Sequence, residues 1–224
     1  MQREIQLTAD GSHTLLLKDK KSTYHSLHGA ISESRHVFIQ AGLLPFLKPG
    51  QATPVRILEI GFGTGLNALL TMIEADRWGI PVSYTAVEPY PLTAEEFGQL
   101  NYGELLNRQH DFITLHTIPD YTSSPVSPFF TLLRLPGEIH KLKDIPDADC
   151  IFFDAFSPTD QPDMWTEEVF SKLFQCLAPA GTLVTYCSKT TVRKELQSVG
   201  FTVTKIPGPF GKREMVRAIK STNS

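Results

Sequence analysis

The stretch Glu59-Ile60-Gly61-Phe62-Gly63-Thr64-Gly65-Leu66-Asn67 restricts this chain more than any other. Upstream, Val55-Arg56-Ile57-Leu58-Glu59-Ile60 is a short apolar, β-branched run of the kind a buried parallel strand shows, with Pro54 marking its start. Downstream, Leu66 to Ile73 is apolar at helical spacing and free of Gly and Pro. A strand therefore hands over to a helix through Gly61, Gly63 and Gly65. Each glycine omits a Cβ where the chain turns or a ligand approaches, and the start of the helix presents unpaired N–H groups.

Such a turn serves dinucleotides and S-adenosylmethionine (SAM) alike. The dinucleotide fingerprint wants a third Gly or Ala five residues after the first. Here that position is Leu66, and the third glycine comes one residue earlier. Glu59 stands just before the loop, where a carboxylate repels a pyrophosphate and attracts the ammonium and sulfonium of SAM. The next strand, Val82 to Val87, ends in Glu88, placed to accept hydrogen bonds from ribose hydroxyls of either cofactor. Glu88 thus supports a nucleoside without choosing between the two, and a glycine turn with no ligand is the bland alternative.

A length of 224 residues with 41% hydrophobic content suits one α/β domain with a modest embellishment. No apolar run approaches the roughly 20 residues of a membrane span, and Met1 to Ile5 lacks a secretory apolar stretch. Cys150, Cys176 and Cys187 lie in separate apolar segments, as buried reduced thiols do. The expected location is the cytoplasm. Charge is uneven: from Val87 to Phe170 there are 15 acidic and 4 basic residues, whereas from Lys189 onward there are 8 basic and 2 acidic. That basic end offers a face to a polyanion, against the plainer reading of solvated faces.

Residues 4–17 alternate around Asp10-Gly11 as a β-hairpin, and 23–38 read as a helix with Leu27, Ile31, Ser34 and Phe38 on one stripe. Its histidines lack the spacing of a helical zinc site, so no metal is expected. Together they form an annex, residues 1–50, packed on a main domain, 51–224. Strand and helix then alternate. A helix is expected over 93–106, opened by Thr93; 121–128 reads as loop; 129–135 and 139–142 are strand candidates. Asp149 to Asp154 is a buried strand ending in a carboxylate, followed by a proline-containing loop to Trp165. A helix (166–177), a strand (182–186), a helix (191–199) and two closing strands (201–206, 215–220) complete a doubly wound, mostly parallel sheet with a reversed edge strand.

In such sheets ligands bind outside the strand C-termini near the switch point. Glu59 with the glycine loop, Glu88, and Asp154 with Phe156 all fall there. Turn capping by Asp154 and core packing of Phe156 and Trp165 are the structural alternatives.

The strings "GFGTGLN", "DAFSPTDQPDMW", "GTLVTYCS" and "GPFGKREM", in that order, resemble the methyltransferase domain of the tRNA 5-methylaminomethyl-2-thiouridine biosynthesis family (MnmC or the free-standing MnmD type). The resemblance runs from "YHSLHGAISES" to the end and implies a Rossmann-like class I methyltransferase fold with SAM as cofactor. The implied reaction methylates the primary amine of 5-aminomethyl-2-thiouridine at the tRNA wobble position, a separate enzyme supplying that amine. By the same resemblance Glu59, Gly61, Phe62, Gly63, Thr64, Gly65, Asn67, Glu88, Asp154 and Ala155 meet the cofactor. Tyr24, Ser26, Phe156, Pro158, Trp165, Lys212, Arg213 and Glu214 meet the substrate, and Asp154 is the catalytic candidate. Competing readings are a SAM-dependent N-methyltransferase of a protein or small amine, a nicotinamide reductase, and a non-enzymatic RNA-binding module.

Overall fold

The expected hairpin pairs β1 (Arg3–Leu7) antiparallel with β2 (His13–Leu17), Arg3 opposite Leu17. A short β3 (Ser22–Thr23) joins β2 on its other side, giving a small three-stranded sheet. These elements come from a computed structural model that describes residues 2–222. Residue 1 and residues 223–224, the outer ends of the two expected ranges, lie outside the described residues.

The helix expected from residue 23 begins only at α1 (Ala30–Ser34) and runs on as a π-helical segment, Arg35–Leu43. Two things hold 24–29 out of it. The His25 N–H donates to Thr14 Oγ1 and the Ser26 N–H to Glu33. Gly29 sits at φ 136, where an added Cβ would lie 2.6 Å from Asp10 Oδ2.

The main sheet begins with β4 (Val55–Ile60), α2 (Leu66–Trp78) and β5 (Val82–Glu88). The helix expected over 93–106 is two short ones, α3 (Ala94–Gly98) and α4 (Tyr102–Leu105). The Asn101 side chain breaks it, bonding the His13 N–H and the Gly11 carbonyl instead. A helix not foreseen, α5 (Gln109–Thr117), follows. The 121–128 loop contains a strand, β6 (Ser124–Ser127), antiparallel to β7 (Phe130–Pro136) with a register shift at Pro125. Residues 139–142 form no strand. The chain ends with β8 (Ala148–Phe153), α6 (Glu167–Cys176), β9 (Leu177–Thr185), α7 (Thr190–Ser198), β10 (Thr202–Pro207) and β11 (Glu214–Ile219).

Strand order is β10-β11-β9-β8-β4-β5-β7-β6. The central five are parallel, and their largely apolar sequences suit strands covered on both faces. The reversal expected at one edge occurs on both sides, β11 running against β9 and β6 against β7. Alternate residues feed two cores. Ile57, Tyr84 and Phe152 pack toward α2 and the π-helical segment, and Leu58, Ile151 and Phe153 toward α6 and α7. Phe152 is fully buried, so truncating it to Ala should cost about 3–5 kcal/mol. The winding departs in opposite directions from β4 and β8, which opens the crevice at their C-terminal ends.

Candidate active site

The glycine loop leaves β4 pressed against the end of β8. Gly61 has φ 92, and an added Cβ would stand 2.7 Å from the Asp154 carbonyl oxygen. At Gly65, φ 73, it would stand 2.8 Å from His116 Nε2. Neither position has room for a side chain or a relaxed backbone for one. Between them Thr64 is gripped twice: His116 Nε2 donates to its carbonyl at 3.1 Å, and His25 Nε2 bonds its hydroxyl at 2.7 Å. Burial pushes both imidazoles down to about 4, so both are neutral near pH 7.

Glu88 closes the far side of the loop. Its carboxylate accepts the N–H of Gly63 at 2.9 Å and of Tyr90 at 2.7 Å. Burial raises its pKa against those two bonds. Each oxygen keeps a lone pair for a hydroxyl in the cleft.

Behind the loop, one amide joins two acids. Asn67 Nδ2 donates to Glu59 Oε1 and to Asp154 Oδ2, both at 2.9 Å. Glu59 is wholly inaccessible and does not line the cleft. Burial lifts its pKa well above the ordinary glutamate value, the Asn67 bond opposes that rise and the Asp154 charge adds to it. Asp154 does line the cleft. Its own N–H is tied to the Ile60 carbonyl at 2.9 Å, fixing the end of β8 beside β4. Burial, with the Glu33 charge acting the same way, brings its carboxyl up to about 7, while Asn67 and Lys212 oppose the rise.

The outer wall is aromatic and charged. The rings of Tyr24 and Phe156 meet edge-on, centroids 4.9 Å apart, and Arg3 Nε donates to the Tyr24 hydroxyl at 2.9 Å. Lys212 Nζ lies 2.6 Å from Glu33 Oε1 and 4.1 Å from the Tyr186 ring centroid. The Tyr186 hydroxyl donates to the Ala155 carbonyl at 2.9 Å.

Of the residues singled out from sequence, Gly61, Phe62, Gly63, Thr64, Glu88, Asp154, Ala155, Tyr24, Ser26, Phe156 and Lys212 line one cleft of about 620 Å³. Glu59, Gly65 and Asn67 support it from behind. Trp165 is buried and donates its indole N–H to the Phe156 carbonyl at 2.8 Å, so it holds the loop. Pro158, Arg213 and Glu214 lie off the cleft wall, Glu214 pairing with Lys205 at 2.8 Å. Sequence reasoning missed Glu33, Tyr90, His116 and Tyr186. Only two carried a signal: Glu33 is the acid on a polar helix face, and Tyr186 ends the buried strand of "GTLVTYCS".

The cleft suits SAM on its own geometry. A wall without Cβ atoms, a carboxylate with free lone pairs toward a nucleoside, and a volume within the usual 300–1,000 Å³ for small ligands are all present. The family described as S-adenosyl-L-methionine-dependent methyltransferase matches residues 134–221. The tRNA 5-methylaminomethyl-2-thiouridine biosynthesis bifunctional protein MnmC of Leptospira borgpetersenii is 33% identical over 210 residues, 86% of this chain and 31% of the relative. MnmC of Pseudomonas paraeruginosa is 32% identical over 229 residues, 96% of this chain and 35% of the relative. The crystal structure of MNMC2 from Aquifex aeolicus superposes with TM-score 0.76 at 29% identity, covering 100% of this chain and 71% of that one. This chain is therefore similar to MnmC over most of its own length, with a SAM-dependent methyltransferase family matched over residues 134–221. It spans about a third of the length of the curated MnmC relatives. Spermidine synthase from Thermotoga maritima, TM-score 0.60 at 15% identity, shares the fold. Gly61, Gly63, Glu88 and Asp154 all line this one cleft. No helix of the described residues is long and apolar enough to cross a membrane.

Proposed function

We propose that this chain methylates the primary amine of 5-aminomethyl-2-thiouridine at the tRNA wobble position, giving 5-methylaminomethyl-2-thiouridine. A separate enzyme would supply the amine, and the work would be done in the cytoplasm, where tRNA is. The bound SAM supplies an electrophilic methyl group on a sulfonium, and the chain's residues must deliver a neutral amine in line with it.

An alkylammonium, like lysine, has a pKa of about 10.4, so roughly one molecule in a thousand is free base near pH 7.5. Asp154 answers that problem. Its carboxyl titrates at about 7, making it a stronger base than a surface aspartate, and it lies on the cleft wall beside the glycine loop. It accepts the ammonium proton as the nitrogen comes into line. Asn67 fixes the carboxylate from behind, so the proton-accepting oxygen does not wander. Tyr24 and Phe156, packed edge-on, would offer aromatic surface to a flat base, and Trp165 keeps the Phe156 segment in place.

The observation that carries this reading is the raised carboxyl of Asp154 set between a cofactor wall and an aromatic mouth. The test incubates the purified chain with methyl-labelled SAM and tRNA bearing 5-aminomethyl-2-thiouridine, then separates the nucleosides. Label in 5-methylaminomethyl-2-thiouridine is expected. Label entering protein or free amines while tRNA stays unlabelled would overturn the tRNA assignment in favour of another N-methyltransferase.

A further inference from the structure

Glu33 is the one acid of the annex that reaches the cleft wall beside Asp154. Its side chain is 10% exposed, and each oxygen has a single partner: Oε2 accepts the Ser26 N–H at 2.8 Å, and Oε1 takes the Lys212 ammonium at 2.6 Å. The ammonium also sits 4.1 Å from the centre of the Tyr186 ring. A carboxylate and an aromatic face around one R–NH₃⁺ is how a protein recognises a primary amine. Here the chain's own lysine fills that site. Lys212 belongs to the link between β10 and β11, its side chain about one-third exposed, and exposed Arg213 follows it. Its charge also acts on Asp154, so both groups share one electrostatic neighbourhood.

Resting on the tRNA reading above, we infer that Glu33 is the specificity residue for the acceptor's primary amine, and that Lys212 guards it until a nucleic-acid phosphate draws the lysine away. An acceptor with both an amine and a phosphate backbone makes the exchange charge-neutral: the substrate ammonium takes Glu33 as Lys212 takes a phosphate. A small free amine has nothing to offer Lys212 and meets an occupied site. The device thereby separates tRNA-borne amines from the cell's free ones by a penalty on the latter.

The probe is benzylamine, a flat primary amine with no phosphate, titrated calorimetrically with S-adenosylhomocysteine saturating; benzyl alcohol is the uncharged control. Lys212→Ala should bind benzylamine at least 10-fold more tightly than the parent chain. Adding Glu33→Gln, which keeps an acceptor for the Ser26 N–H, should abolish that gain. Benzyl alcohol should not distinguish the three. Unmodified tRNA transcript should tighten benzylamine binding to the parent chain and leave Lys212→Ala unmoved, because coupling between sites is reciprocal. Melting temperature and S-adenosylhomocysteine affinity confirm that each variant is folded. Equal benzylamine affinity in parent and Lys212→Ala, or a gain that survives Glu33→Gln, overturns the amine site; no effect of transcript overturns the guarding role. These readouts stand apart from tRNA methylation, so an amine site that exchanges as described in a chain that methylates no tRNA would sink the tRNA reading alone.

Discussion

Replacing Asp154 by Asn tests burial and catalysis together. In the folded chain the carboxyl keeps its proton up to about 7, against 3.8 for an unperturbed aspartate. Between those values the native state binds more protons than the unfolded one, so this group makes stability fall as pH rises, and its full cost is present above pH 7. About three pKa units at about 1.36 kcal/mol each set a ceiling near 4 kcal/mol. Asn has the same shape, keeps an acceptor for Asn67, and carries no charge to desolvate. At roughly 2–4 °C per kcal/mol for a chain of this size, the ceiling is about 8–16 °C in Tm. Water reaching the cleft wall trims that, and a rise above about 4 °C at pH 8 that vanishes near pH 4 is expected. Methyl transfer should fall about 10²- to 10⁴-fold and recover in part as pH approaches the amine's own pKa. Calorimetric melts at both pH values and single-turnover methylation on one preparation supply the readings. A Tm change identical at pH 4 and pH 8 refutes the burial argument, and near-normal turnover in the folded variant refutes the base.

S-adenosylhomocysteine at 100 times its Kd should stabilise the chain by about 2.7 kcal/mol in a thermal shift; Glu88→Ala should weaken its binding by about 1.5–3 kcal/mol in calorimetry, through lost bonds to a charged acceptor and a loosened Gly63. Gly61→Ala places a methyl 2.7 Å from the Asp154 carbonyl at a φ that disfavours it, and should lower Tm and S-adenosylhomocysteine affinity together. For His116, whose pKa falls from 6.5 to about 4 on folding, the unfolded state binds more protons in that window. Stability is therefore full above pH 6.5 and is lost as pH falls toward 4. His116→Gln should lower Tm at pH 7.5 yet flatten the decline between pH 6.5 and 4.5, and an unchanged slope would remove this histidine from the acid response.

The cofactor side was legible because a buried parallel strand tolerates so little. Cys150 to Phe153 is an unbroken apolar run and Val55 to Ile60 is interrupted only by Arg56 and Glu59, so the charged residues in and after these strands and the glycines that follow stand out as departures needing a reason. On the opposite wall the family resemblance pointed to Asp154 and Lys212, but Glu33 and Tyr186 were not legible, since they meet those two only through tertiary packing and share no spacing with them. Trp165 shows the limit for aromatics: its indole N–H fastens the Phe156 carbonyl while its rings pack on Phe153, and composition alone does not tell that from a base-stacking role. The helix 109–117 was lost because its apolar residues are few and no N-cap side chain marks its start. The strand at 124–127 was lost because an edge strand with a proline reads as turn.

The two flanks of the large sheet bear on how native copies of this chain meet one another. A bare strand edge is a template for a neighbour's backbone, and regular ladders grow from it. On one flank Pro125 lacks an N–H and the register slips beside it, so an incoming strand finds no continuous row to pair with. On the other, β10 carries Lys205, paired to Glu214, and ends at Pro207. Fibre-like growth of folded molecules is thus capped at both margins, and aggregation on heating should follow the rate of unfolding rather than the concentration of native protein.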